Sequence, residues 1–214
     1  MRRISNPSAR GMLIVLSGPS GSGKGTIIKS LLNSRRDTVL SISVTTRQPR
    51  PGEIDGIHYF FRTREEFLEM ISSGDLLEYA EYNGNFYGTP EESIKKWLAE
   101  GKNVLLEIEV QGAEQVMDHR SDLVSIFITI PSMEELERRL RDRGTENEDT
   151  IRGRMEVARR ELTRAFRYDY VVLNDEVDLA VGRINTIIDA EKMRYSRMEK
   201  TVLEVLQDAQ TNGY

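Results

Sequence analysis

Short apolar runs alternate with helix-like segments along much of the chain. Met12–Leu16 is apolar throughout and stops at Ser17-Gly18-Pro19, which predicts a buried strand followed by a tight turn. A helix pattern follows at Thr26–Asn33. Further strands, rich in β-branched residues, are predicted at Val104–Val110, Leu123–Ile130 and Tyr170–Leu173. This alternation indicates an α/β fold with a mainly parallel sheet flanked by helices.

Capping residues mark several helix boundaries. Ser132 precedes a helix pattern, and Glu135, three residues later, completes the sequence of a capping box. Thr89 stands where a helix N-cap is expected, because Pro90 suits the first helical position. From about Val177 onward the pattern predicts long helices with a frayed tail.

Two segments interrupt the alternation and predict lobes inserted into one domain. Residues 43–89 contain short polar and aromatic strands, a helix at Arg64–Ser72 and a hairpin signal at Asn83-Gly84. They predict a mixed, largely antiparallel β lobe. Residues 134–166 predict a helical hairpin that turns at Gly144–Asp149. The α/β core then comprises residues 11–42, 90–133 and 167–214, and the first ten residues are expected to be a loose tail.

Composition narrows the classes of function. The chain has 214 residues, 38% of them hydrophobic, which suits one compact core, and its net charge of −5 argues against a general nucleic-acid binder. It contains no cysteine, so disulfides and Cys-ligated zinc are excluded, and two histidines are too few for a His-rich metal site. The longest apolar run is too short to cross a bilayer and no signal-peptide pattern is present. We therefore expect a cytoplasmic protein without a membrane partner, and the sequence leaves its oligomeric state open.

A glycine-rich loop joins the first predicted strand to the first predicted helix. Backbone N–H groups in such a loop turn towards phosphate oxygens, and the helix N-terminus adds partial positive charge. Lys24 would bridge the β- and γ-phosphates of ATP. Gly25 stands where Ser or Thr usually binds Mg²⁺, so we expect Mg²⁺ mainly on phosphates and water, with Thr26 as a candidate ligand. The residues predicted to bind ATP here are Gly18, Pro19, Ser20, Gly21, Ser22, Gly23, Lys24, Gly25 and Thr26.

The loop Gly-Lys-Gly-Thr resembles that of many nucleoside monophosphate kinases, and four later motifs resemble the guanylate kinase family. That family has Ser-x-x-Thr-Arg-x-Pro-Arg-x-Gly-Glu, then Tyr, then Glu, then Asn-x-Tyr-Gly-Ser/Thr. Here they stand in the same order at Ser43–Glu53, Tyr59, Glu78 and Asn85–Thr89. The resemblance implies Mg²⁺-dependent phosphoryl transfer from ATP to GMP, with a P-loop core, a GMP-binding lobe at 43–89 and a lid at 134–166.

The residues that carry the resemblance suit the phosphate of GMP. Arg47 and Arg50 offer forked donors to phosphate oxygens, and the resemblance makes Arg47 catalytic as well. Tyr59 and Tyr87 add hydroxyl donors. Taken one at a time, the arginines could be solvated loop charges and Tyr59 could be ordinary packing, but their joint order favours a site.

Guanine recognition is expected from one carboxylate and two hydroxyls. Guanine presents N1–H and its 2-amino group as neighbouring donors, and Glu78, the family's residue there, can accept from both. Ser43 and Thr89 fit the O6 acceptor. Adenine lacks these donors and would leave a buried Glu78 unpaired, which is strongly penalised.

Glu107 and Glu109 are predicted to end a strand at a spacing of two, which points them to the same side of the sheet. The carboxyl ends of parallel strands face the ligand crevice. The resemblance assigns Glu107 to the GMP site, and Glu109, where the family more often has Asp, is a candidate Mg²⁺ ligand through water. The alternative is a charge pair exposed at the sheet edge.

The predicted helical hairpin is rich in charge. From Arg138 to Arg160 it has eight arginines and five acidic residues, a local balance of +3. The resemblance singles out Arg139, Arg143 and Arg154 as catalytic lid arginines that fold onto the transferring phosphates. We expect little to hold this lid in place without ligand. Pairs at a spacing of four would stabilise the helix by a few tenths of a kcal/mol each; they are Glu134–Arg138, Glu135–Arg139 and Glu137–Arg141.

Asn174, at the end of the last predicted strand, matches the family's adenine-side residue, although Asn-Asp is also a common turn.

Three rival functions remain to be weighed. A GTPase would need a guanine-reading Asn-Lys-x-Asp, which is absent. An adenylate kinase shares the loop style but not the acceptor motifs. A scaffold module of the same fold tends to lose the loop Lys and the lid arginines, which are present here.

Overall fold

The computed structural model describes residues 10–82, 84–142 and 147–212. Its strands are β1 Leu13–Ser17, β2 Thr38–Leu40, β3 Val44–Thr45, β4 Phe60–Phe61, β5 Leu76–Tyr82, β6 Asn85–Pro90, β7 Asn103–Glu107, β8 Leu123–Thr129 and β9 Tyr170–Leu173. Its α-helices are α1 Lys24–Ser34, α2 Arg64–Ser73, α3 Glu91–Ala99, α4 Val110–His119, α5 Met133–Asp142, α6 Glu148–Leu162, α7 Val177–Lys192 and α8 Tyr195–Asn212.

Five parallel strands form the central sheet, in the order β2-β7-β1-β8-β9. The central strand β1 is buried along its whole length, as its unbroken apolar sequence predicts. Helices α1 and α7 cover one face, and α3 and α4 cover the other, each through its apolar stripe. The predicted α/β class is confirmed. All five strands end at the same edge, where the glycine-rich loop follows β1 and Glu107 ends β7.

The second sheet, in the order β4-β3-β6-β5, is mixed. The pairs β3–β6 and β5–β6 are antiparallel, but β3 and β4 run parallel because the chain between them crosses over and returns in the same direction. The predicted hairpin turn joins Tyr82 to its partner Asn85; Gly84 has a φ of 74°, and Asn83 lies outside the described residues. Helix α2 begins with a capping box of Thr63 and Glu66, which was not predicted from the sequence.

Three boundary predictions are wrong. The strand predicted at Val104–Val110 ends at Glu107, because Glu109 is already the extended N-cap of α4. The helix after the glycine-rich loop begins at Lys24 and not at Thr26. Thr89 is not a helix N-cap: it lies in β6, and Pro90 occupies the N-cap position of α3.

The helices α5 and α6 keep most of their predicted local contacts. The Ser132 hydroxyl accepts from the Glu135 N–H at 3.1 Å, but the Glu135 carboxylate pairs with Arg138 and Arg139 and does not close the box. Two of the predicted pairs form, Glu135–Arg139 and Glu137–Arg141. The third does not, because Arg138 binds Glu135 and Asp142 in place of Glu134. Of the predicted turn Gly144–Asp149, residues 144–146 lie outside the described part of the chain.

Helices α7 and α8 follow the last strand, as the sequence predicts from about Val177. None of the helices within the described ranges is long and apolar enough to span a membrane.

Candidate active site

A cleft of about 340 Å³ lies where the carboxyl edge of the parallel sheet meets the mixed sheet. We call it the central cleft. Seven residues that line it were predicted for the site: Lys24, Ser43, Tyr59, Glu78, Tyr87, Glu107 and Glu109. Six other lining residues were not predicted for it: Ala80, Glu81, Gly88, Ile108, Gln111 and Gly112.

The glycine-rich loop wraps around the amino end of α1 at one end of the cleft. Gly23 takes a left-handed conformation with a φ of 90°, and a Cβ there would lie 2.4 Å from the Asn174 Nδ2. The Lys24 ammonium donates to the carbonyl oxygens of Gly18 and Pro19. The loop therefore presents a helix N-terminus and one buried cation at the same point. Thr26 lies exposed in the first turn of α1.

The other side of the loop is held by Asn174 and α5. The Asn174 side-chain amide donates to the Ser22 carbonyl at 2.6 Å. The guanidinium of Arg139 donates to the Asn174 carbonyl at 3.0 Å and to Glu135 at 2.7 Å. Asn174, a predicted ATP-binding residue, and Arg139, a predicted catalytic lid residue, thus both contact the loop at the Ser22 carbonyl, although neither lines the central cleft.

Helix α5 is not weakly held, so that expectation is wrong for this half of the predicted lid. Leu136 and Leu140 are fully buried, and a Cβ on Gly21 of the loop would lie 2.8 Å from the Leu136 Cδ1. Close packing of this kind fixes α5 to the loop. Arg154 lies half-buried on α6, and Arg143 lies outside the described residues.

A buried carboxylate from β5 of the mixed sheet also lines the cleft. Glu78 is 6% exposed and accepts a hydrogen bond of 2.6 Å from the Thr89 hydroxyl. Burial raises the pKa of Glu78, and the Thr89 hydrogen bond opposes that rise. The hydroxyl proton of Thr89 is therefore committed to Glu78, which differs from the expected role of a free donor to a base. A Cβ on Gly112 would lie 2.7 Å from the Glu78 Oε2, so this glycine leaves room for the carboxylate.

Arg47 lies just after β3 and is fixed against Tyr59, which lines the cleft. Its guanidinium donates to the Glu53 Oε1 at 2.9 Å and lies 5.4 Å from the centre of the Tyr59 ring. Tyr87 meets Tyr59 edge-on, with ring centres 6.2 Å apart. The side chain of Arg50 is exposed, and its backbone N–H donates to the Glu53 Oε2 at 2.7 Å.

Glu109 and Lys24 both affect the pKa values of two carboxyl groups, Glu107 and Glu161. Burial raises the pKa of Glu107; Lys24 opposes the rise and Glu109 adds to it. Burial and then Glu109 raise the pKa of Glu161, on α6, to about 7. Nothing in the charge pattern of the sequence separated Glu161 from the solvated acids of the hairpin. Its Oε2 is buried and has no hydrogen-bond partner among the described residues.

The donor set near the loop fits a hard cation held largely by a ligand's own oxygens. Within residues 10–82, 84–142 and 147–212, no cluster of three acidic or histidine side chains forms a metal cage. Glu109 offers carboxylate oxygens in the cleft, and Thr26 offers a hydroxyl beside the loop. Magnesium retains several waters and binds phosphates together with one or two protein oxygens, which matches this sparse set.

Comparison with known proteins covers most of the chain. Residues 10–191 match the family model described as guanylate kinase. The chain is 52% identical over 187 residues to the guanylate kinase of Desulfitobacterium hafniense, covering 87% of this chain and 94% of that protein. It is 54% identical over 202 residues to that of Bacillus cereus, covering 94% and 98%. The crystal structure of guanylate kinase from Anaplasma phagocytophilum superposes with a TM-score of 0.73 at 39% identity, covering 88% of this chain and 90% of that one.

Proposed function

The chain belongs to the guanylate kinase family, and we propose that it transfers the γ-phosphoryl group of ATP to GMP, giving ADP and GDP, in a Mg²⁺-dependent reaction. One observation supports this proposal above all others. The phosphate-loop cation Lys24 and the buried carboxylate Glu78 line the same cleft. A phosphate-binding residue and a carboxylate that can accept hydrogen bonds from guanine thus face the same cleft, as a kinase with a guanine nucleotide acceptor requires.

On the ATP side, the glycine-rich loop from Gly18 to Thr26 receives the phosphates. Its backbone N–H groups and the N-terminus of α1 stabilise the anion, and Lys24 exchanges its carbonyl partners for phosphate oxygens. Asn174, bonded to the loop carbonyl of Ser22, serves the adenine side.

On the GMP side, Arg47, Arg50, Tyr59 and Tyr87 bind the acceptor phosphate. The supporting geometry is the fixed guanidinium of Arg47, which lies against Tyr59 with Tyr87 beside it. The side chain of Arg50 is exposed and can turn onto a bound phosphate.

Glu78 reads the guanine N1–H and 2-amino group. Thr89 acts through Glu78, because its hydroxyl donates to that carboxylate. Ser43 supplies a hydroxyl to the guanine O6, and Glu107 contacts the acceptor from the end of β7; both line the central cleft.

The chemistry is chiefly the neutralisation of charge. A phosphate acceptor is already an anion near neutral pH, so no general base is needed, and the barrier is the approach of two polyanions in line. Lys24, Arg47, Arg139, Arg143 and Arg154 stabilise the charge of the transferring group. When bound, Mg²⁺ neutralises phosphate charge and orients the phosphates, and Thr26 and Glu109 are its candidate protein ligands through water.

The domain organisation proposed for this reaction is a core of residues 11–42, 90–133 and 167–214, a GMP-binding lobe at 43–89 and a lid at 134–166. The lobe is built on the mixed sheet and the lid on α5 and α6. Closure of the lobe and of the α6 part of the lid over bound nucleotides would exclude water and so protect ATP from hydrolysis. We place the enzyme in purine nucleotide metabolism in the cytoplasm.

A coupled assay tests the proposal. Purified protein with ATP, Mg²⁺ and GMP should give ADP and GDP, and AMP should be a very poor acceptor. Equal rates with GMP and AMP would overturn the guanylate assignment. ADP release without any acceptor would indicate a hydrolase, and no turnover with intact GMP binding would indicate a scaffold module.

A further inference from the structure

We propose that Glu53 is a positioning residue of the acceptor-phosphate site, holding the Arg47 guanidinium and the backbone at Arg50 in the geometry that a phosphomonoester dianion requires. This inference rests on the proposed function, because the arginines need a phosphate acceptor for their geometry to matter. Glu53 itself is not a phosphate ligand: a carboxylate repels phosphate, so its effect must pass through the arginines.

One carboxylate joins two points of the loop between β3 and β4. Its Oε1 accepts from the Arg47 guanidinium at 2.9 Å, and its Oε2 accepts from the Arg50 backbone N–H at 2.7 Å. The Glu53 N–H also donates back to the Arg50 carbonyl at 3.0 Å. The turn between them contains Gly52 with a φ of 87°, so the loop closes tightly on itself.

The Arg47 side chain is fixed on several sides. A second guanidinium nitrogen donates to the Gln48 carbonyl at 2.7 Å, and the cation lies over the rings of Tyr59 and Phe61, at 5.4 and 5.8 Å from their centres. A guanidinium held in one plane loses less rotamer entropy when it binds a phosphate than a mobile one does. Both members of the Arg47–Glu53 pair are largely shielded, at 15% and 18% side-chain exposure.

Glu53 is ionised at neutral pH, because the Arg47 side chain and then the Arg50 backbone N–H hold its pKa below its usual range. It therefore places a negative charge beside a site meant for a dianion. Viewed only as a charge, Glu53 weakens phosphate binding. As a positioning residue, Glu53 strengthens phosphate binding by fixing the Arg47 guanidinium that donates to the phosphate. The two effects have opposite signs, so removing the charge distinguishes them.

The test compares GMP with guanosine, which lacks the phosphate, by calorimetric titration of wild type and Glu53→Gln. Gln keeps the size of the side chain, but its single amide oxygen cannot accept from both Arg47 and the Arg50 N–H. We expect GMP affinity to fall about tenfold, the loss of one charge-assisted hydrogen bond, while guanosine affinity stays unchanged. In steady-state kinetics the GMP KM should rise by the same factor, with the ATP KM unchanged. Tighter GMP binding by Glu53→Gln would overturn the proposal, and so would unchanged binding.

Three further measurements keep the result interpretable. Glu65→Gln removes an exposed charge from α2 in the same lobe and should leave GMP affinity at the wild-type value. In an Arg47→Ala background, Glu53→Gln should lower GMP affinity less than twofold further, since its effect passes through Arg47. A full tenfold loss of GMP affinity in that background would refute the proposed positioning role. If Glu53→Gln unfolds the lobe, guanosine affinity falls as well. The deciding variant is then Glu53→Asp, which keeps the charge on a shorter side chain. Wild-type GMP binding by Glu53→Asp would contradict the proposal. Failure of wild type to bind GMP would instead refute the proposed function.

Discussion

Glu78→Gln separates base recognition from every other function of the site. Glu78 is buried at one end of the central cleft and bonded to Thr89. A glutamine oxygen can still accept the Thr89 hydroxyl at the position of Oε1. The other oxygen becomes an NH₂ group, which points a donor at the guanine donors. The substitution therefore preserves packing and reverses the polarity of one contact.

The expected loss follows from the two guanine donors. Hydrogen bonds to a charged group contribute about 1.5–3 kcal/mol each, and a donor left unpaired costs about 1–3 kcal/mol. Because the amide can still accept one donor, we expect a loss of about 2–4 kcal/mol in transition-state binding, or about 30- to 1,000-fold in kcat/KM for GMP.

Steady-state kinetics with varied GMP, at saturating ATP and then with varied ATP, measures this loss. The ATP KM should change little, because Glu78 lies on β5 of the mixed sheet and bonds Thr89, whereas the glycine-rich loop follows β1 of the parallel sheet. Preference for GMP over AMP should shrink, since the amide no longer favours two donors. Glu69→Gln, an exposed acid on α2 of the same lobe, is the matched control and should behave as wild type. Unchanged GMP kinetics in Glu78→Gln would show that Glu78 does not read the base.

The raised pKa of Glu78 adds a second observable. Its carboxylate must be ionised to accept both guanine donors, so kcat/KM for GMP should fall as pH drops through the raised pKa. The fall should begin at a higher pH than the ordinary glutamate value of 4.5. The same burial disfavours ionisation in the folded state, so folding stability falls as pH rises above that ordinary value. In Glu78→Gln both pH dependences should weaken, which urea denaturation and kinetics can follow separately.

Three other substitutions test neighbouring parts of the site. Lys24→Ala should lower kcat by orders of magnitude in a folded protein that still binds some ATP, and near-normal turnover would contradict the phosphate-loop assignment. Gly112→Ala should raise the GMP KM with little change in the ATP KM, because its Cβ would lie 2.7 Å from the Glu78 Oε2; an unaltered GMP KM would mean that the carboxylate can move away freely. Glu161 has a folded pKa of about 7 against an ordinary 4.5, so its contribution to stability declines as pH rises through that interval. In urea denaturation, the free energy of unfolding of Glu161→Gln should therefore rise relative to that of wild type between pH 5 and pH 8. The same pH dependence of unfolding in both proteins would show that the pKa of Glu161 is not raised.

The elements that the sequence predicts well are those with local causes. The strand Tyr170–Leu173 has its predicted bounds, and Arg64–Ser72 is a helix only one residue longer than predicted. The turn after β1 could be predicted because Gly18 and Pro19 cannot continue a buried strand. The order of the acceptor motifs likewise identified Glu78, Tyr59 and Tyr87, all of which line the cleft.

The predictions that fail depend on contacts between distant parts of the chain. Thr89 has the local sequence of an N-cap, but the pairing of β5 with β6 places it opposite Glu78, and its hydroxyl serves that buried carboxylate instead. The charged surface of α5 suggested weak attachment. Its two buried leucines, Leu136 and Leu140, pack against the glycine-rich loop, a contact that no pattern within the helix reveals.

Three cations predicted to meet phosphates already have partners within the protein. Lys24 is bonded to carbonyl oxygens of its own loop, Arg47 to Glu53 and Arg139 to Glu135. Binding of nucleotides therefore starts from cations that already have partners, and its free energy is the difference between the contacts before and after binding. A partner that holds a cation in the orientation that phosphate needs reduces the cost of ordering, whereas one that holds it elsewhere must be released first. Glu53 fits the first case, because Arg47 stays beside Tyr59 and Tyr87. Glu135 fits the second, because it keeps Arg139 against Asn174 and away from the central cleft. Substitution of the acidic partners should consequently have opposite effects at the two positions, although each breaks one arginine–carboxylate pair.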